Sequence, residues 1–168
     1  MKYGYITMTN HYTDVARKIA LHFNDRQLTG SFCCSSDGLY CSDAGGKAAI
    51  YFAEGWTAVF PAWEMMKQES RLPGMFKAFS SDENLCLATT SAGSALLSNG
   101  KRKNLIRLDA HGFTAFINPQ FTRLFPKATL YYISAPNKPV VAGLWENDIF
   151  KPFAIICPIV GTSVWRAK

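Results

Sequence analysis

FTAFINPQFTRLFP, residues 113–126, decides how the fold is read. Phe113 to Ile117 alternates aromatic, hydroxyl and aliphatic side chains, the composition of a pleated, half-buried strand. Asn118 then offers a side-chain oxygen to first-turn N–H groups. Pro119 follows at the first helical position, where its missing N–H has no helical acceptor to lose. The spacing predicts a strand running into a short helix that buries Phe121, Leu124 and Phe125 and stops at Pro126.

The same order occurs earlier. Val59-Phe60-Pro61 opens a second strand-to-helix passage, with Ala62, Met65, Met66 and Leu72 as its buried side and Pro73-Gly74 as its stop. The two helix-opening prolines lie 58 residues apart and the two closing ones 53. That spacing predicts duplicated supersecondary units. A third helix, capped by Asn10 or Thr13, carries Val15, Ile19 and Phe23 on one face and ends at Asn24-Asp25. Around these helices, Leu28–Cys34, Gly38–Ser42, Lys47–Ala53, Met75–Phe79, Asn84–Thr89, Gly93–Leu97, Asn104–Asp109, Thr129–Ser134, Val140–Trp145 and Phe153–Val160 read as strands joined by tight turns. The expected fold class is α+β, with repeated strand-helix-antiparallel-strand units. A single compact domain over 1–168 would hold three such units, about 10–56, 57–110 and 111–160, and a C-terminal tail, 161–168.

With 168 residues, 48% of them hydrophobic and 18% charged, the chain has a globular composition. Folding at this length buries roughly two thirds of the unfolded surface, enough for a core without a metal or disulfide. The longest apolar run, Phe153 to Val160, falls well short of the ~20 residues of a membrane span, so no membrane partner is expected. Met1 to His11 lacks the apolar block of a secretory signal. Five cysteines with no C-x-x-C spacing then predict a reducing, cytoplasmic compartment. Cys33 and Cys34 are neighbours in a strand and point to opposite faces, and His11, His22 and His111 lack zinc-ligand spacing. Neither a metal nor a cofactor is predicted.

Charge separates the two halves. Residues 1–84 hold eight Lys and Arg against nine Asp and Glu, while residues 85–168 hold ten against three. The whole excess of +6 therefore comes from the second half, the footprint of a surface that meets phosphates. Lys101, Arg102 and Lys103 follow the turn Ser98-Asn99-Gly100 and, with Arg107, Arg123 and Lys127, form the expected nucleic-acid contact surface. No base-reading motif accompanies them, so the expected binding is to backbone. Catalysis has weaker support. Cys33 or Cys41 with His22 or His111 would supply a nucleophile and base, yet no recognised nucleophile or phosphate-loop motif surrounds them. Asp37, Asp43, Asp82 and Asp148 all fall in turns, where carboxylates cap backbone.

Three stretches together resemble the DNA sliding clamp family. They are Val59-Phe60-Pro61-Ala62 with the helix ending Leu72-Pro73, Thr114-Ala115-Phe116-Ile117-Asn118 with Phe121 and Leu124, and Pro139-Val140-Val141 with Phe153-Ala154-Ile155-Ile156-Cys157-Pro158-Ile159 after an acidic turn. The resemblance implies a non-catalytic, DNA-associated accessory protein whose helices present cations to nucleic acid. In this chain those are Arg17, Lys18 and Arg26 on the helix capped by Asn10 or Thr13, Lys67 and Arg71 diluted by Glu64 and Glu69 on the helix opened by Pro61, and Arg123 and Lys127 with no acid on the helix opened by Pro119. It also implies a pocket for short apolar peptides of replication or repair proteins beside the last strand, at Cys157, Pro158, Ile159 and Val160, with Trp165 in the tail as its plug. Clamp chains carry an even number of units and this chain three, which leaves both a monomer and a homo-oligomer open. Two other readings compete: a protein-binding accessory or inhibitory module, and a small enzyme with a Cys or Ser nucleophile.

Overall fold

The computed structural model describes residues 4–8, 29–35, 37–43, 47–53, 56–60, 67–123 and 125–168. The helix expected from Asn10 or Thr13, with Arg17 and Lys18, lies outside these residues, as do Pro61 to Met66 and Leu124. The chain divides into two compact units, Met1–Ser80 with Leu124–Lys127 and Ser81–Arg123 with Ala128–Lys168. The boundary at Ser80 falls inside the segment expected to form the second repeat. Strands dominate both units, with two helices among the described residues.

In the first unit, β1 (Gly4–Met8) pairs antiparallel with β5 (Trp56–Phe60). Strands β2 (Thr29–Ser35), β3 (Gly38–Asp43) and β4 (Ala48–Ala53) form the antiparallel meander the turn residues predicted. A two-residue strand, β6 (Lys67–Gln68), runs parallel to β2. Helix α1 (Leu72–Ser80) packs on the meander and corrects two expectations. Pro73-Gly74 begins a helix instead of ending one, and Met75–Phe79 is helical, not a strand. The physical reason is local. The Arg71 carbonyl accepts the Met75 N–H at 3.0 Å, so Pro73 falls in the first turn, where its missing N–H is harmless. Leu72 and Phe76, four apart, are both buried.

The second unit carries two antiparallel arrangements. One runs β10 (Phe113–Ile117), β9 (Arg102–Ala110), β8 (Thr89–Leu96), β14 (Ser163–Ala167). The other runs β13 (Ile149–Ile156), β12 (Val140–Glu146), β11 (Leu130–Ile133), β7 (Cys86–Leu87). Phe113–Ile117 has the strand bounds the sequence predicted, and α2 (Pro119–Thr122) follows with Asn118 as its cap. Asn118 Oδ1 accepts the Gln120 N–H at 3.1 Å, and Phe121 is buried. The unit's core is Leu105, Leu108, Ile117, Ile133, Val140 to Ala142 and Phe153 to Ile156.

Several boundaries differ from expectation, beginning with α2, which ends at Thr122 instead of running on to Phe125. Asn84–Thr89 and Gly93–Leu97 give way to a two-residue β7 and a continuous β8, because Gly93 sits inside a paired strand instead of interrupting one. Phe153–Val160 gives way to β13, which begins and ends four residues earlier. Asn147 and Asp148 have φ of 50° and 61°, so two residues suffice to reverse the chain and Ile149 pairs at once with Glu146. His111 (φ 44°) and Gly112 (φ 83°) make the equivalent turn between β9 and β10. Finally, the expected tail, 161–168, contains β14, hydrogen-bonded along β8.

Candidate nucleic-acid interface

The register of the second unit's β10-β9-β8-β14 sheet shows which side chains share a face. In antiparallel ladders directly opposed residues project to the same side. Arg166 opposes Ser94, and Ser94 opposes Asn104. One row over, the Lys168 N–H donates to the Ala92 carbonyl at 3.0 Å, and Ala92 opposes Ile106. These two rows floor an open groove of about 340 Å³. Pro119 at the start of α2 and Arg123, the cap just past its end, contribute to its lining on one side, and Arg166 and Ala167 of β14 with Lys168 directly after it on the other. No acidic side chain lines it, and among the described residues Arg123, Arg166 and Lys168 form no ion pair.

A bulge in β14 puts Arg166, and Lys168 after it, there. Ser163 opposes Leu96 but Arg166 opposes Ser94, so β14 spends three steps where β8 spends two. The extra residue is accommodated at Val164, whose φ of 50° is left-handed, a strained state for a β-branched side chain. Without it Trp165 would stand opposite Ser94 and face the groove, and Arg166 would point away. With it, Trp165 lies on the other side, its indole against Gly93. A Cβ at Gly93 would come within 2.5 Å of that ring and 2.3 Å of the Arg166 carbonyl. The ring also meets Phe116 at 5.5 Å between centroids and the Arg107 guanidinium at 6.0 Å.

The expected cations therefore have different fates. Lys101, Arg102 and Lys103 are exposed at the β8–β9 turn, held by Asn99 Oδ1 accepting the Lys101 N–H at 3.0 Å. Arg102 is committed within the sheet. Its Nη1 donates to the Ser94 carbonyl, Ser94 Oγ and the Val164 carbonyl at 3.1–3.3 Å, fastening β14 to β8. Arg107 Nε is bound to both oxygens of Asp109 at 2.9 and 3.0 Å, and Thr114 Oγ1 donates to the same carboxylate. Arg123 lines the groove; Lys127 is exposed and does not. Arg166 and Lys168 are the groove residues that sequence reasoning missed. The alternation Ser163 to Lys168 was their only signal, and it is too short and too charged to read as a strand.

Of the expected peptide site, Cys157 and Val160 are exposed, Pro158 and Ile159 half-buried, and all four lie beyond the end of β13. Ile159 N–H donates to the Phe116 carbonyl at 2.7 Å, so this segment runs beside β10. Trp165 belongs to β14 and packs on Gly93 and Phe116. In the first unit Cys41 is buried and Cys33 half-buried. Groups of three or more His, Cys, Asp or Glu placed to hold a metal do not occur among the described residues, nor does a helix long and apolar enough to cross a membrane.

No family model, curated protein or solved structure matches this chain.

Proposed function

We propose that this protein is a non-catalytic accessory protein that binds nucleic acid through its phosphate backbone, without base specificity. The observation that carries the reading is the convergence of Arg123, Arg166 and Lys168, none of them ion-paired among the described residues, on one groove lined by no acidic side chain. Cations left unneutralised beside one another raise the local potential, and each phosphate they meet releases condensed counterions. The excess of positive charge in residues 85–168 supports the same reading. A clamp-like use of repeated strand-helix-strand units is the architectural form of this proposal. It rests on the recurring Pro-opened passages at Pro61 and Pro119, the second of which is a capped helix start.

The test is a salt titration of DNA binding. Affinity is expected to fall steeply between about 50 and 200 mM salt. Arg166→Glu with Lys168→Glu is expected to weaken binding equally for all sequences and to flatten the salt slope by roughly one per cation removed. Undetectable binding at low salt in the unaltered protein would remove the proposal.

A further inference from the structure

We infer that the groove seats one nucleotide unit of a single strand and does not receive the face of a duplex. This deepens the nucleic-acid reading and rests on it. The groove encloses about 340 Å³. That is the low end of the range for small-ligand sites. A volume that small cannot take in a duplex, whose major groove alone is roughly 12 Å wide, so a double helix could touch only the rim. Rim contact would engage the long side chains of Arg166 and Lys168 and leave the floor unused.

The floor is built for more than charge. Ser94 Oγ accepts a hydrogen bond from Arg102 at 3.1 Å, which leaves its own hydroxyl hydrogen to donate to a phosphate held between Arg166 and Arg123. Arg102 acts here as a positioning residue. It fixes the serine and, through the Val164 carbonyl, the edge strand that carries Arg166 and leads into Lys168. Beside Ser94 stands Asn104, whose amide is both donor and acceptor and so suits a base edge of any identity. Ile106 in the next row and Pro119 at the start of α2 supply apolar surface for a sugar or a base face. Cation, hydroxyl, amide and apolar surface lie within one small space, matching phosphate, sugar and base in a nucleotide whose base is unpaired.

Fluorescence anisotropy with a labelled short oligothymidylate and with a hairpin duplex of equal phosphate count tests this. Thymidine monophosphate and inorganic phosphate serve as competitors. The single strand is expected to bind about tenfold more tightly than the duplex at about 0.1 M salt. Monophosphate should compete measurably and better than phosphate, yet more weakly than the strand. Asn104→Ala, at an exposed position, should lower single-strand affinity several-fold and leave duplex affinity and the thermal midpoint unchanged. Equal affinity for strand and duplex with no effect of Asn104→Ala would overturn the inference while leaving backbone binding intact. Monophosphate binding as tightly as the strand would overturn it in favour of a free nucleotide. No binding of any of these would overturn it together with the reading beneath it.

Discussion

Lys77 in the first unit and Arg166 in the second are both surface cations, but only one is available to a ligand. Lys77, on α1, reaches Asp37 Oδ2 at 3.1 Å, and the same oxygen accepts the Tyr40 hydroxyl at 2.8 Å. Tyr51 donates to the Asp37 carbonyl at 2.6 Å, and the rings of Tyr40, Tyr51 and Phe76 pack at 4.8–5.7 Å. Charge in that region ties a helix to its sheet. Around the groove of the second unit, by contrast, Arg166, Lys168 and Arg123 pair with no carboxylate among the described residues. Net charge therefore says less about binding than the number of cations the fold leaves unneutralised.

Substitutions in the two regions should separate stability from binding. Phe76→Ala removes the buried ring joining α1 to Tyr40 and Tyr51, and is expected to cost about 3–5 kcal/mol of stability. DNA affinity of the folded fraction should stay unchanged; calorimetry beside anisotropy reads both, and a matching loss of affinity would break the contrast between the regions. Gly93→Ala is expected to be milder in stability, about 1–3 kcal/mol by overpacking, but to weaken binding. The new methyl meets the Arg166 carbonyl and Trp165, so β14 must shift away from β8 and take its cations with it. Retained affinity would show that the groove does not depend on docked β14.

The smallest effect belongs to Asp37→Asn. Lys77 and Asp37 are 60% and 39% exposed, so solvent screening limits the ion pair to about 1 kcal/mol or less. Burial raises the Asp37 pKa, but hydrogen bonds from Tyr40, Lys77 and Ser35 outweigh it and hold the carboxyl below its ordinary 3.8. A carboxyl lowered on folding stabilises the protein fully above its unfolded pKa near 3.9 and loses that contribution as pH falls through the folded value. The stability gap between the natural protein and Asp37→Asn should therefore be present at neutral pH and close in acid. Denaturant unfolding at a series of pH values checks this; a gap that widened toward low pH would contradict it. Burial also pushes the Tyr40 hydroxyl up, with the Asp37 hydrogen bond adding to it, so the phenol stays a donor throughout this range.

Local signals were legible where the determining contact is close in sequence. Asn118 capping through Gln120 and Pro119 in the first turn depend on neighbours within three residues, and the strand Phe113–Ile117 pairs across a two-residue turn with the strand just before it. Pro73 and Gly74 misled because the pair is compatible with both ends of a helix, and only the packing of Leu72 and Phe76 decides between them. Arg123 was singled out for its charge and does line the groove. Arg102 and Arg107 were singled out on the same grounds, yet their partners, Val164 and Asp109, bind them within the sheet. β14 was invisible because its pairing partner, β8, lies some seventy residues away and its alternation is broken at Val164.

That break at Val164 has a consequence for divergence. A chain lacking one residue between Ser163 and Arg166 would keep its composition and charge almost intact, yet exchange which side of its edge strand is aromatic and which is cationic. Substitution could only tune such a surface; a single-codon deletion could invert it. Among descendants of this sequence, the spacing from Ser163 to Arg166 would therefore separate groove-binders from non-binders more sharply than their lysine and arginine content.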